Sequence, residues 1–392
     1  AVIDTAEINN PLYVIDGDDI AESATTSLGD FIDEYLGISI ADYGAAVGQP
    51  IIRGMSGPRV KILKNGMVNR DVSGLGVDHL NDLDLHDVQQ VEIVKGPSSL
   101  LYANGTTGGI INVVDDCISA LNYELPEINI GYETQSVNDG SSEFFNVKSM
   151  VAGFNVNFGY KNTEFGNYDI PNGAIMHEEE HHDENDHDED HHDEDMHEEN
   201  LGYLNNSDYA VEATKFGISK VGDWGYVGFS VDNLESVYGI PFHGDEHGDE
   251  HGDEHGDEHG DEHDDDHEDE HGDEHGEERI FSTTDSESFT IKGSYNINGN
   301  LVNKIDFTYR DSDYTLTEAH EEEHGEHGEE HDDDHGDEHD DEHAPTVFSN
   351  QAVEYTAIFD ISNANSTQKV VVNIVDEDNS IVGEEAFMNP AN

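Results

Sequence analysis

Twenty-five histidines stand in this 392-residue chain, and all but His79 and His86 fall in three tracts, 177–199, 243–278 and 318–343. The middle tract repeats His-Gly-Asp-Glu, so that His243, His247, His251 and their successors to His275 recur every fourth residue. The first tract doubles its histidines at His181-His182 and His191-His192, and the third carries His324 and His327. Neutral imidazole is a ligand for zinc, copper and nickel. Neighbouring carboxylates add oxygen donors and draw the cation in. Helical stacking of the repeat is disfavoured, because glycine recurs and like charges at spacings of three and four repel. The expected state is an unstructured tether whose weak chelating clusters raise the local metal concentration without building a rigid site. A loop serving only hydration would need Asp and Glu alone, and calcium, preferring oxygen, would not select histidine. A separate loop, Gly74-Leu75-Gly76-Val77-Asp78-His79, sets a carboxylate beside an imidazole.

Charge and composition exclude several function classes. The formal charge is −76, from 15 Lys and Arg against 91 Asp and Glu. Such a chain repels phosphate backbones, which excludes nucleic acid as a partner, and it attracts cations. Cys117 is the one cysteine, so neither an intrachain disulfide framework nor a cysteine-based zinc finger is possible. It reads as structural rather than as a ligand. No HExxH or nucleophile–base pattern occurs, and the chain does not read as an enzyme. No apolar run of about 18 residues could cross a membrane as a helix. Barrel strands need only about ten alternating residues and leave mean hydropathy low, so the membrane is not excluded. No secretory leader is visible, and Ala1 is either a mature N-terminus or a cut end.

Two textures divide the chain. Up to about residue 122, short β-branched strands alternate with Gly- and Pro-rich turns. Pro50-Ile51-Ile52-Arg53-Gly54 leads to Arg59–Leu63, then to Lys64-Asn65-Gly66, where Asn-Gly is a strong hairpin signal. Val91–Val114, VEIVKGPSSLLYANGTTGGIINVV, reads strand, Gly-Pro turn, short polar segment, Gly-rich turn, strand. Leu12–Gly17 reads as a strand and turn. Asp18 to Leu36 reads as a helix, with Thr26 or Ser27 as cap and Gly37 as stop.

From Pro126 the pattern becomes period two. Phe154, Val156, Phe158 and Tyr160 interleave with polar residues, as do Phe289, Ile291 and Tyr295, then Ile305, Phe307 and Tyr309, then Val353, Tyr355 and Phe359. A membrane barrel wall and a soluble β-sandwich give this alternation equally. The connections separate them. About nine strands are joined alternately by short turns, near 151–153, 221–223, 298–300 and 363–365, and by long segments that include the three tracts. In an up-and-down barrel every second connection shares a side, so all three tracts fall on one face, and bacterial barrels keep their long loops outside.

The residues PIIRG at 50–54, RVKILKNG at 59–66 and the run at 91–114 together resemble the plug domain of TonB-dependent outer-membrane receptors, in that family's order. The resemblance covers about the first 120 residues. It implies a plug domain over 1–122 and the N-terminal part of a transmembrane β-barrel over 123–392, in the bacterial outer membrane and in contact with its lipid. The loop at 74–79 is similar to the zinc-uptake branch, which is ZnuD-like and whose plug presents an Asp-His pair to the metal. Asp78 and His79 fall at that place. Without the resemblance such a pair is an ordinary solvated one. One Asp and one His do not complete a tetrahedral zinc site, so further ligands are expected from barrel loops, with His86 as a supporting group. The stretch YGIPFH at 238–243 resembles the start of that branch's loop, with His243 first in its tract. Plugged barrels have roughly 22 strands, more than nine, so the barrel is expected to be incomplete in this chain. The family's coupling segment is not located; it falls in Ala1–Ala6 or is missing.

The expected function is capture of a divalent metal, zinc, by the outer tracts, and import past the plug with the work supplied through a TonB-type energy-coupling protein. Zinc is cargo here, and no cofactor is expected. A haem or siderophore receptor is the alternative in the same class, although haem needs an aromatic-lined pocket and the tracts carry almost no aromatics. A surface metal buffer that does not transport is the alternative outside it. Copper would win on intrinsic affinity, so zinc rests on the resemblance.

Overall fold

The computed structural model describes residues 12–17, 20, 28–42, 47–74, 79–81, 83–85, 87–96, 99, 106–171, 202–241, 279–297, 299, 301–321, 345–361, 366 and 368–383. The N-terminal part contains β1 (Leu12–Asp16), a short helix α1 (Leu28–Ile32), β2 (Ile38–Asp42), β3 (Gly48–Ile52), β4 (Val60–Lys64), β5 (Met67–Val68), β6 (Val88–Val94) and β7 (Gly109–Asp115). Five of these form one sheet in the order β1-β6-β7-β4-β5, with β4 and β7 parallel. The ribbon β2–β3 stands apart and packs on α1.

The hairpin expected at Asn65-Gly66 joins β4 to β5, with φ of 54° and 84° at the two residues. Both positive angles are what a type I′ turn demands, and glycine meets the second at no steric cost. Ile15, Ile32, Ile52, Val91, Ile93 and Ile111 fill the core between sheet and helix. β7 is buried over six consecutive residues. Ile111 and Val113 on one face belong to that core, and Ile110, Asn112 and Val114 on the other are buried as well, which is why its sequence is a nearly continuous apolar run rather than an alternation.

The helix departs from expectation. Among the described residues Gly17, Ile20 and Leu28–Ile32 are helical, and the helix stops at Ile32, short of Leu36. The chain then tightens into turns in which the amides of Tyr35 and Ile38 bond to the carbonyls of Ile32 and Tyr35. This shift to three-residue spacing sets the Tyr35 ring against Tyr13, tilted at 57° with centroids 5.5 Å apart, and turns Leu36 out to solvent, 85% exposed. By apolar spacing Leu28, Phe31, Ile32, Tyr35 and Leu36 share one helix face, which predicts a buried Leu36.

The remaining chain is an antiparallel sheet. Its strands are β8 (Glu127–Gln135), β9 (Gly140–Val151), β10 (Phe154–Phe165), β13 (Tyr209–Gly222), β14 (Gly225–Gly239), β15 (Arg279–Asn296), β16 (Lys304–Glu321), β17 (Thr346–Asp360) and β18 (Lys369–Val382). A two-residue pair, β11 (Tyr168–Asp169) and β12 (Tyr203–Leu204), flanks the first tract. The nine long strands lie in sequence order, each paired with its chain neighbour, with β8 and β18 at the two edges. Nine strands is the number read from the alternation.

Several strands exceed the ten residues the period suggested, reaching 18 in β15 and β16. The excess lies toward the ends that carry the tracts, where outward positions turn polar at Glu212, Glu235, Asp285 and Asp313. Lower down, outward positions are aromatic. Phe216–Phe229, Phe229–Phe289, Phe289–Tyr309 and Tyr309–Tyr355 follow strand to strand with ring centroids 6.5, 6.0, 6.4 and 5.0 Å apart. Above ring height the wall is wet; at ring height it is apolar, as a lipid-facing band requires.

The inward face packs on the N-terminal domain and not on a second sheet, which separates this architecture from a sandwich. The strand order also fixes the connections. The turns β9–β10, β13–β14, β15–β16 and β17–β18 share one end, and the described residues flanking all three tracts share the other.

Candidate functional site

The tract end of the wall closes over the plug through one apolar cluster. Val47, Val72 and Leu80 of the plug meet Phe165, Tyr209, Val211, Tyr238, Ile240, Ile280, Tyr314, Leu316 and Phe348 of the wall. His79 lies beside it with no solvent exposure. Its ring Nδ1 is 3.3 Å from the hydroxyl oxygen of Tyr238, on the inward face near the end of β14. Its main-chain oxygen accepts a hydrogen bond from Nε2 of Gln49 at 2.6 Å, and the Asn81 amide donates to the Gly48 carbonyl at 3.2 Å. Plug strand β3 therefore fixes the backbone of the loop, while the wall fixes the imidazole.

Of the metal ligands expected from the sequence, His79 is the one that lies among the described residues. Asp78, His86, His181, His182, His191, His192, His243, His247, His251, His324 and His327 lie outside the described residues. Among the described residues no group of three or more His, Cys, Asp or Glu is arranged to hold a metal ion. Cys117 is buried, and that burial, reinforced by Asp232 and Asp115, pushes its thiol well above the ordinary range. A protonated buried thiol is a poor ligand, in keeping with a structural role.

Deeper between plug and wall is a layer of ion pairs that sequence reasoning missed. Lys64 Nζ is 2.6 Å from Asp232 and 3.8 Å from Asp115. Arg70 reaches Glu354 at 2.8 Å and Glu377 at 2.6 Å. Asp87 takes Lys148 at 2.6 Å and Lys215 at 3.6 Å, and Asp84 takes Lys215 at 3.7 Å and Lys161 at 3.9 Å. Each pair joins a plug residue to a wall residue, except that Asp115 and Lys64 are both in the plug. The signal was present in the sequence: Lys161, Lys215 and Asp232 occupy inward positions of alternating strands, where a charge must find a partner or water.

Burial pushes the Asp115 carboxyl up. The ammonium groups of Lys64 and Lys215, with hydrogen bonds from the Asn65 amide and the Cys117 N–H, outweigh that and hold it at about 2. Burial lowers Lys64 in turn, and Asp232 and Asp115 overcome it, leaving its ammonium above the usual lysine range.

Where the plug runs out into the wall, glycines make room for it. A side chain at Gly217 would collide with the Cys117 carbonyl, and one at Gly228 would come within 2.6 Å of the Ile118 side chain. Ser219 Oγ donates to the Ser119 carbonyl at 2.6 Å across the same contact.

Comparison with known proteins agrees with this geometry. Residues 4–110 match the family model of the TonB-dependent Receptor Plug Domain. Two relatives, each described as a hemin receptor, are 33% identical (Yersinia enterocolitica) and 30% identical (Yersinia pestis) over 126 residues. That region is 31% of this chain and 18% of each relative. Among solved structures, the copper transporter OprC superposes with a TM-score of 0.64 at 10% identity, over 97% of this chain and 48% of that one. The FrpB iron transporter from Neisseria meningitidis (F5-1 variant) gives 0.62 at 14% identity, over 94% and 49%. The chain thus spans about half the length of those transporters, and at these identities the likeness speaks for the fold. The matched plug, seated against an antiparallel wall with the fold of those transporters, gives this chain a TonB-dependent receptor plug domain over residues 4–110 beside part of a barrel-type sheet.

Proposed function

We propose that this receptor takes up a divalent cation, zinc, which its His/Asp/Glu-rich outer tracts concentrate and which passes inward beside the plug. The division of labour follows the sequence, with a plug over 1–122 and a tract-bearing wall over 123–392. In this reading Asp78 and His79 are the cargo ligands on the plug. The histidines of the tracts, among them His181, His182, His191, His192, His243, His247, His251, His324 and His327, form a capture layer of fast, weak exchange. A TonB-type protein supplies the work that moves the plug. The single observation that carries the reading is the burial of His79 at the tract end of the plug, against the strand that leads into the middle tract. An imidazole kept from water at the end of the wall from which the tracts depart suits a cation handed from weak ligands to stronger ones.

A second reading, uptake of haem, is favoured by the two hemin receptors to which the plug is similar. It needs His79 as an axial ligand and an apolar pocket near it.

Uptake of radioactive zinc by zinc-starved cells making the receptor separates the two. Zinc uptake lost in Asp78→Ala/His79→Ala, and reduced only at low zinc when the tracts are removed, is the expected result. Zinc uptake untouched by both changes, with haemin supporting growth through the same receptor, would replace the zinc reading by the haem one.

A further inference from the structure

We infer that Tyr238 is a positioning residue for the cargo cation: its hydroxyl oxygen accepts the Nδ1–H of His79 and so leaves the Nε2 lone pair of that imidazole for the ion. The inference rests on the reading of His79 as a cargo ligand and adds to it the group on the wall that decides which nitrogen is offered.

A neutral imidazole has one N–H and one lone-pair nitrogen, and its surroundings choose between them. At His79 the surroundings are specific. The residue is fully buried, its main chain is held by Gln49, and its Nδ1 faces the Tyr238 oxygen at 3.3 Å. A phenol oxygen can donate or accept. Were it to donate, the proton of the ring would sit on Nε2 and that atom would bind no cation. As acceptor it fixes the proton on Nδ1. Histidines that ligate metals commonly donate their other ring N–H to an oxygen in this way, and losing that oxygen weakens the metal.

Packing does not account for the hydroxyl. Tyr238 is 1% exposed within the cluster that includes Leu80, Ile240 and Leu316, where a phenylalanine ring would fill the same volume. A buried hydroxyl without a partner costs free energy, so its position against a plug imidazole is a specific pairing. Tyr238 is also the first residue of the run Tyr238–His243 that enters the middle tract. The group that orients the plug ligand is thereby carried on the same strand end as the capture layer.

The test is zinc uptake by cells making the receptor with Tyr238→Phe, His79→Ala, or both. Tyr238→Phe should raise the KM for zinc roughly tenfold or more and leave the maximal rate nearly unchanged. In the His79→Ala background the same change should add nothing. Imidazole ¹⁵N shifts of the purified receptor should report the Nδ1–H tautomer in the wild type and a mixture in Tyr238→Phe. A KM that rises in His79→Ala but not in Tyr238→Phe would overturn the positioning role while sparing the ligand. So would an effect of Tyr238→Phe that is the same with and without His79. A KM unmoved by His79→Ala would remove the ligand assignment, and this inference with it.

Discussion

Lys64, at the end of plug strand β4, places its ammonium 2.6 Å from the carboxylate of Asp232 on wall strand β14. The contact joins residues 168 positions apart and belongs to the layer of pairs that holds the plug against the wall. Both side chains keep some exposure, 19% and 15%, so the pair is worth less than a fully desolvated one. Lys64→Met should weaken plug docking by about 1–3 kcal/mol, because it removes the cation that Asp232 and Asp115 share and leaves them only the more distant Lys215 and Arg310. Asp232→Asn should cost less, since Asp115 remains for Lys64. Protease sensitivity of the plug across a urea gradient measures the difference, and equal midpoints for the two variants would contradict the ranking.

Acid should release the plug in a defined window. Its surroundings hold the Asp115 carboxyl at about 2 in the folded protein, against 3.8 without them. A depressed carboxyl contributes stability that is complete above the higher value and is lost as pH falls through the lower one. Docking should therefore hold down to about pH 4 and loosen toward pH 2, and Asp115→Asn should flatten that step. Fluorescence of a dye attached at the plug–wall contact, followed from pH 5 to 2, reads it. An unchanged step in Asp115→Asn would assign it to other carboxylates.

Gly217→Val should block assembly rather than merely loosen it. The wall has no space at Gly217, because the Cys117 carbonyl occupies the position a side chain would take. That atom is backbone, so relief requires shifting the whole plug exit. Ile218→Val, on the outward face next door, should be nearly silent. Heat-modifiable migration on gels measures the folded fraction, and a fully folded Gly217→Val receptor would show that the plug exit is free to move.

Carboxylates crowd the wet part of the outer wall. Glu235 lies directly opposite Glu212 on one side and Asp285 on the other, and all three point outward. Like charges directly across a strand pair are destabilising. Glu235→Gln should raise the melting temperature, corresponding to up to about 1 kcal/mol at low salt, with the gain shrinking as salt screens the repulsion. A loss of stability in low salt would mean that the three carboxylates share a cation instead of repelling.

Much of this protein was legible one residue at a time. Asn65-Gly66 announced its hairpin because a type I′ turn tolerates few other pairs. The alternation at Phe154–Tyr160 announced a two-faced strand because side-chain period is a property of extended backbone alone. The parity of short and long joins put the strand ends that flank the tracts on one side because an antiparallel meander leaves no other choice. Spacing misled at Leu36, where a switch of hydrogen-bond register at the helix end put an apolar residue in water.

Chemistry along the chain was also visible, in the tracts and in Asp78-His79, but a sequence names donors without their partners. That His79 meets Tyr238, that Lys64 meets Asp232, and that Gly217 yields to Cys117 follow only once the plug is seated in the wall. Each joins residues 100 or more apart. No local preference encodes such pairs. Their members are brought together by burying the plug's apolar surface, and the inward charges then pair because leaving them unpaired in a drying interface costs more.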